Sequence, residues 1–166
     1  MKILIAYTSK TGTAREGAEL LASLLPNFEV TLCDLAHTTP DPTGFDYIVL
    51  GCPIRMARAD KVMRRYLKRY ASVIAELPHA LFLCCAVADQ FENYLDFVYP
   101  AQLLESAEHK CYFGGTLDVS RQRGIDKLLV RMMRNYVNES EDNEAALPGF
   151  LPEHVRLLAD ALRQKN

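Results

Sequence analysis

No stretch of this sequence approaches the roughly 20 consecutive apolar residues that a membrane-crossing helix needs, and the start, Met1-Lys2-Ile3-Leu4-Ile5, runs straight into a strand-like pattern without the organisation of a signal peptide. The expected compartment is therefore the cytoplasm. The five cysteines, Cys33, Cys52, Cys84, Cys85 and Cys111, have no CxxC spacing and lie inside apolar runs. An odd number without a framework reads as reduced, buried thiols, not as disulfides or a metal site. The four histidines, His37, His79, His109 and His154, are scattered, so neither metal-ligand spacing nor a hydrolytic triad is legible. Neither G-x-x-x-x-G-K-[ST] nor G-x-G-x-x-G occurs, which excludes the two commonest glycine-rich nucleotide fingerprints. Tryptophan is absent altogether, and there is no internal repeat or low-complexity tract.

What is present fits one compact domain over residues 1–166, with a 49% hydrophobic and 24% charged composition ordinary for a globular chain. Apolar runs at Ile3–Tyr7, Tyr47–Gly51 and Ala80–Val87 read as strands buried on both faces. Phe28, Val30 and Leu32 alternate as in a strand with one buried face, and Lys110–Thr116 reads as a further strand. Helical patterns run from Ala14 to Leu25, Ala59 to Ala75, Leu95 to Ala107, Ile125 to Val137 and Pro152 to Leu162. Wholly apolar strands separated by helices predict a three-layer, doubly wound α/β fold. Five strands at this length match a parallel sheet in the order 2-1-3-4-5. Ligands of such sheets bind at the carboxyl ends of the strands, where the strand order reverses. That rule puts the loops after Tyr7, Gly51, Val87 and Thr116 on one functional edge, with His79 and His109 at strand entrances opposite.

The first of those loops is Thr8-Ser9-Lys10-Thr11-Gly12-Thr13-Ala14, leading directly into a helix. A phosphoryl group needs backbone N–H donors, hydroxyls and the positive end of a helix dipole, and this segment offers all three. An ordinary N-capping turn would use the same residue types.

Here the sequence resembles the flavodoxin family, whose phosphate loop reads [TS]-x-T-G-x-T after the first strand. Ser9-Lys10-Thr11-Gly12-Thr13 matches, and Ala14 stands where the last Thr is usual. The resemblance implies the flavodoxin-like fold and FMN as cofactor, its phosphate held by Thr8, Ser9, Lys10, Thr11, Gly12, Thr13 and Ala14. It implies further that the flavin ring lies between the loop Pro53-Ile54-Arg55-Met56-Ala57 and the loop Ala86-Val87-Ala88-Asp89. Tyr94 or Phe91 is an aromatic partner for the ring on this reading, or else packs beneath the second loop. With no tryptophan, the Trp bracket of some flavodoxins is ruled out. Within the family the chain is most similar to the group typified by menaquinone-dependent protoporphyrinogen oxidase. The similarity lies in Gly51-Cys52-Pro53-Ile54-Arg55, Pro78-His79-Ala80-Leu81, Gly114-Gly115-Thr116-Leu117 and the basic, Met-containing run Lys127–Arg134. Two stretches depart from that group: the acidic, aromatic run Asp89–Asp96, and Tyr136-Val137-Asn138-Glu139 in place of a glycine pair.

Charge is unevenly distributed. Lys61, Arg64, Arg65, Lys68 and Arg69 fall on one helical stripe, with Asp60 the lone acid beside them. A second basic group spans Arg121–Arg134, and acids gather over Glu139–Glu144. The stripe is either a solvated face or a contact surface for an acidic redox protein or an anionic membrane. No nucleic-acid recognition motif accompanies it. Two functions follow: an FMN-dependent oxidoreductase passing electrons to a small-molecule acceptor such as a quinone or porphyrinogen, or a flavodoxin-type carrier serving redox partner proteins. A phosphoryl receiver of the same topology is excluded, because Tyr7-Thr8 and Gly51-Cys52 stand where its acids would be.

Overall fold

The computed structural model describes residues 1–54, 60–86, 88–115 and 149–165. The expected helix over Ile125–Val137, the second basic group, the acidic cluster, and Thr116 at the end of the fifth expected strand lie outside the described residues. Five strands form one parallel sheet: β1 (Lys2–Tyr7), β2 (Glu29–Asp34), β3 (Tyr47–Pro53), β4 (His79–Cys84) and β5 (His109–Tyr112), in the order β2-β1-β3-β4-β5. The helices are α1 (Thr13–Ser23), α2 (Lys61–Ala75), α3 (Phe91–Val98), α4 (Ala101–Ser106) and α5 (Pro152–Arg163).

Because side chains alternate across a strand, the sheet has two cores. Ile3, Ile5, Tyr47, Val49 and Phe82 face α1 and α5, where Leu21, Leu158 and Leu162 meet them. Leu4, Ala6, Ile48, Leu50, Leu81 and Leu83 face α2, α3 and α4, against Met63, Leu67, Leu95 and Leu103. This double cover is why β1, β3 and β4 are apolar throughout instead of alternating. At the edge the pattern changes. Leu32 was expected on a buried face, yet it is 39% exposed, while Cys33 is buried. Among the described residues β2 is the edge strand of the sheet.

The expected helix over Leu95–Ala107 is two helices. Pro100 lacks the N–H that a continuing helix needs, and it disfavours helical geometry at the residue before it. Tyr99 is accordingly extended, at φ −105°, ψ 133°. The break is put to use: the fully buried Tyr99 hydroxyl faces the carbonyls of Leu50 (3.1 Å) and Phe82 (3.0 Å) and donates its one proton between them. Its neighbour in the fold, His79, is equally buried between the carbonyls of Leu77 and Leu103 (2.8 and 3.0 Å), a structural post at the foot of β4.

Gly51 pairs with Phe82 across β3 and β4. A Cβ at position 51 would lie 1.8 Å from Phe82 Cζ. The Phe82 ring cannot swing aside, since it is fully buried and stacked on Phe113 at 4.4 Å. Gly51→Ala is therefore expected to destabilise the protein by about 1–3 kcal/mol, the usual cost of overpacking. Gly51→Ala/Phe82→Leu should lose less than the two single changes summed, as urea unfolding of all three variants would reveal.

Four cysteines, Cys33, Cys52, Cys84 and Cys85, are buried as expected, and Cys111 is half-buried. Burial pushes the Cys52 thiol up to about 11 and Cys111 up to about 12, and Cys84 is raised for the same reason. The native protein should thus be nearly inert to a thiol-disulfide reagent at pH 8, where a thiol with a pKa near 11 is only ~0.1% thiolate. All five should react after denaturation; a fast-reacting native thiol would contradict the packing.

Candidate functional site

Strand order reverses between β1 and β3. The chain leaving β1 turns to the α1 face, and the chain leaving β3 turns to the α2 face. In sheets of this kind the ligand crevice lies between two such diverging exits, at the carboxyl edge. Thr8 closes β1, its amide donating to the Gly51 carbonyl at 3.0 Å, and it is 2% exposed. Its hydroxyl points inward, 3.7 Å from Cys52 Sγ, so Thr8 anchors the loop without lending a hydroxyl to its rim.

From Ser9 to Thr13 the backbone wraps over the start of α1. Gly12 is the N-cap residue at φ 98°, a left-handed conformation that a side chain strains. Its carbonyl accepts the Glu16 amide at 2.8 Å, and Ser9 Oγ accepts the Arg15 amide at 3.3 Å, leaving the Ser9 hydroxyl proton available. The amides of Lys10, Thr11, Gly12, Thr13 and Ala14 donate to no acceptor among the described residues. Converging amides at the positive end of a helix form a cradle for an anion. The chemistry of this donor set fits a phosphoryl group: a side chain, that of Ser9, takes up the Arg15 amide, and the five amides before it have no partner among the described residues.

Lys10 is half-exposed and pairs at 3.6 Å with Asp60, whose side chain is nearly buried. Asp60 also caps α2 by accepting the Val62 amide at 2.8 Å. One carboxylate thus ties the loop after β1 to the helix after β3. An Asp immediately before the periodic run of α2 is a recognisable N-cap signal; its bond to Lys10 had no sequence signal. Arg15 reaches back to Asp34 at 3.3 Å, bracing the other flank.

On the far side of the crevice, Pro53 ends β3 and the Ile54 amide donates to the Cys84 carbonyl at 2.9 Å. Arg55, Met56, Ala57 and Val87, expected to line a flavin ring, lie outside the described residues. Ala86 is half-buried, and Ala88 and Asp89 are exposed in a short 3-10 turn leading to α3. Tyr94 is half-buried and packs on the core beneath α3, as does Phe91, whose ring lies 5.6 Å from Tyr112. Packing beneath the loop is therefore the role visible for both rings. Two contacts had been missed. Tyr112 donates to the Cys85 carbonyl at 2.8 Å. A Cβ on Gly115 would lie 2.4 Å from that carbonyl. The loop after β4 is thus held from beneath by the end of β5, and the Gly114-Gly115 pair was its sequence trace.

Among the described residues no group of three or more His, Cys, Asp or Glu side chains is arranged to hold a metal, and no helix is long and apolar enough to cross a membrane. A family model described as a flavodoxin domain matches residues 4–144. Protoporphyrinogen IX dehydrogenase (quinone) of Escherichia coli strain K12 is 24% identical over 143 residues, covering 80% of this chain and 78% of that protein. Flavodoxin 2 from Bacillus cereus, in its oxidised form, superposes over all of both chains with a TM-score of 0.56 at 17% identity. A Fusobacterium nucleatum flavodoxin bound to flavin mononucleotide superposes with a TM-score of 0.58 at 11% identity, over 99% of this chain and 98% of that one. Such distant structural likeness speaks to the fold alone. The family model spans most of the chain, and the sheet has the doubly wound order: this chain belongs to the flavodoxin domain family.

Proposed function

We propose that the chain is one flavodoxin-like domain over residues 1–166 that binds FMN in the β1–β3 crevice, acts in the cytoplasm and transfers electrons as an oxidoreductase. The observation that carries the reading is the row of uncommitted amides from Lys10 to Ala14 behind the left-handed Gly12. Thr11, Thr13 and Ser9 add hydroxyls to that row, and Lys10 adds a cation whose charge Asp60 already balances in part. On this reading Pro53, Ile54, Arg55, Met56 and Ala57 contact the ring from one side and Ala86, Val87, Ala88 and Asp89 from the other, with Tyr94 as an aromatic partner. When bound there, FMN supplies one- and two-electron redox chemistry. The protein's part is to hold the phosphate, position the ring with backbone atoms and govern access to its edge.

Family membership and the printed activity of the Escherichia coli relative support a quinone or a porphyrinogen-type molecule as the reacting partner. A carrier serving redox proteins is the second reading. It is favoured by the exposed cations of α2, which make no ion pair among the described residues, and by the acidic, exposed Asp89, Glu92 and Asp96 beside the crevice. The same cations would also attract an anionic membrane surface.

Replacing Thr11 and Gly12 together by Ala should weaken FMN binding at least tenfold, ~1.4 kcal/mol. The measurement is flavin fluorescence quenching, with thermal unfolding of the FMN-free protein to show that the variant is folded. Unchanged affinity would put the phosphate elsewhere. Steady-state assays of the FMN-loaded protein with NAD(P)H, quinones and protoporphyrinogen then separate the two readings: turnover of a small molecule supports the enzyme, and transfer only between proteins supports the carrier.

A further inference from the structure

Beside the crevice, on the α2 side, lies a groove of about 340 Å³ between the loop after β2 and the first three turns of α2. Half-buried Val62, with the edges of the nearly buried Leu35 and Tyr66, supplies its small apolar surface, and Arg65, Lys68 and Arg69 its rim. We propose that this groove docks an acidic segment of a protein redox partner, its carboxylates on the three cations and one apolar side chain on the Leu35–Val62–Tyr66 floor. The proposal deepens the electron-transfer reading above and rests on it for the partner's redox role, but not for the docking itself.

Three observations point to this occupant. The first is charge. Arg64, Arg65, Lys68 and Arg69 are exposed and make no ion pair among the described residues. Of the nearby acids, Asp60 is taken up by Lys10 and the Val62 amide, while Asp41 accepts from the amide and hydroxyl of Thr43 and its charge also feels Arg69, leaving Arg64, Arg65 and Lys68 the least balanced. Arg69 is held in place over the Tyr70 ring at 4.9 Å, and Tyr66 is fixed by donating to the Pro40 carbonyl at 3.1 Å. The recognition surface is thus largely preformed.

The second is what α2 does not expose. Its large apolar side chains Met63, Tyr66, Leu67, Tyr70 and Ile74 are in the core. A helix that settles on a bilayer keeps an exposed apolar face to insert into it, whereas only Val73 at 36% is open here, beyond the groove. A concave, cation-rimmed cleft with a small apolar floor suits an extended peptide segment better than a flat lipid surface.

The third is position. Val62 lies two residues past Asp60, and Asp60 holds Lys10 of the anion cradle. A partner seated in the groove would therefore abut the crevice where electrons enter or leave.

The test uses the full chain, both FMN-loaded and FMN-free. The probe is a synthetic peptide of aspartates and glutamates around one phenylalanine, with a control carrying asparagine and glutamine instead. In 15N-labelled protein the acidic peptide should shift the amides of Leu35, Thr39, Val62 and Tyr66. Its Kd should rise at least tenfold in Arg65→Gln/Lys68→Gln/Arg69→Gln, and comparably when salt is raised from about 0.05 M to about 0.5 M. The three substituted side chains are exposed, so the variant should keep its thermal unfolding midpoint. Equal binding of the neutral peptide would overturn the proposal, as would shifts elsewhere on the surface. So would co-sedimentation with phosphatidylglycerol vesicles through the same three cations while the peptide leaves them untouched. Peptide binding by a protein that fails to take up FMN would sustain the docking site and sink the flavin reading.

Discussion

The structure depends on one topological constraint: in the order β2-β1-β3-β4-β5, the chain must leave β1 and β3 towards opposite faces of the sheet. Neighbouring strands whose exits diverge cannot fill the space between their ends. The two helices that follow also begin beside that space, so their positive ends converge on it. Everything distinctive at the carboxyl edge elaborates this geometry. Gly12 makes the left-handed turn at the head of α1, and Asp60 fastens the head of α2 to the loop before that turn. No catalytic side chain is needed to explain the arrangement. The site is made of backbone, dipole and shape, as suits a protein whose cofactor would carry the chemistry.

The electrostatics of this edge are asymmetric. The anion cradle and the α2 cations make one flank positive, whereas Asp89, Glu92 and Asp96 make the flank after β4 negative. A formal net charge of −2 conceals this division. A partner that approaches such an edge is oriented before it touches, because the field distinguishes its two ends.

Much of this was legible in the residues themselves. The apolar runs of β1, β3 and β4 announce a sheet covered on both sides, and Ser9-Lys10-Thr11-Gly12-Thr13 announces a glycine turn at the head of α1. The burial of Met63, Tyr66, Leu67 and Tyr70 opposite the charged stripe of α2 follows directly from helical period. Elsewhere the reading failed for identifiable reasons. Leu95–Ala107 has unbroken helical periodicity, but Pro100 overrides it through the missing amide hydrogen. Leu32 alternates correctly with Val30, yet alternation says nothing of how much covers an edge strand. The Lys10–Asp60 pair joins residues far apart in sequence whose proximity exists only once β1 and β3 lie side by side. Tyr94 reads from the sequence as a ring partner or as packing beneath the loop, and the structure shows it half-buried against the core.

Tyr99 has a consequence for how the molecule breathes. Its hydroxyl lies between carbonyls of two adjacent strands, and its backbone is the joint between α3 and α4. Parting β3 from β4 therefore requires that joint to withdraw first, exposing a large ring along with the ladder. The two central strands and the α3–α4 corner should open together as a single cooperative unit, while the β2 margin frays by itself.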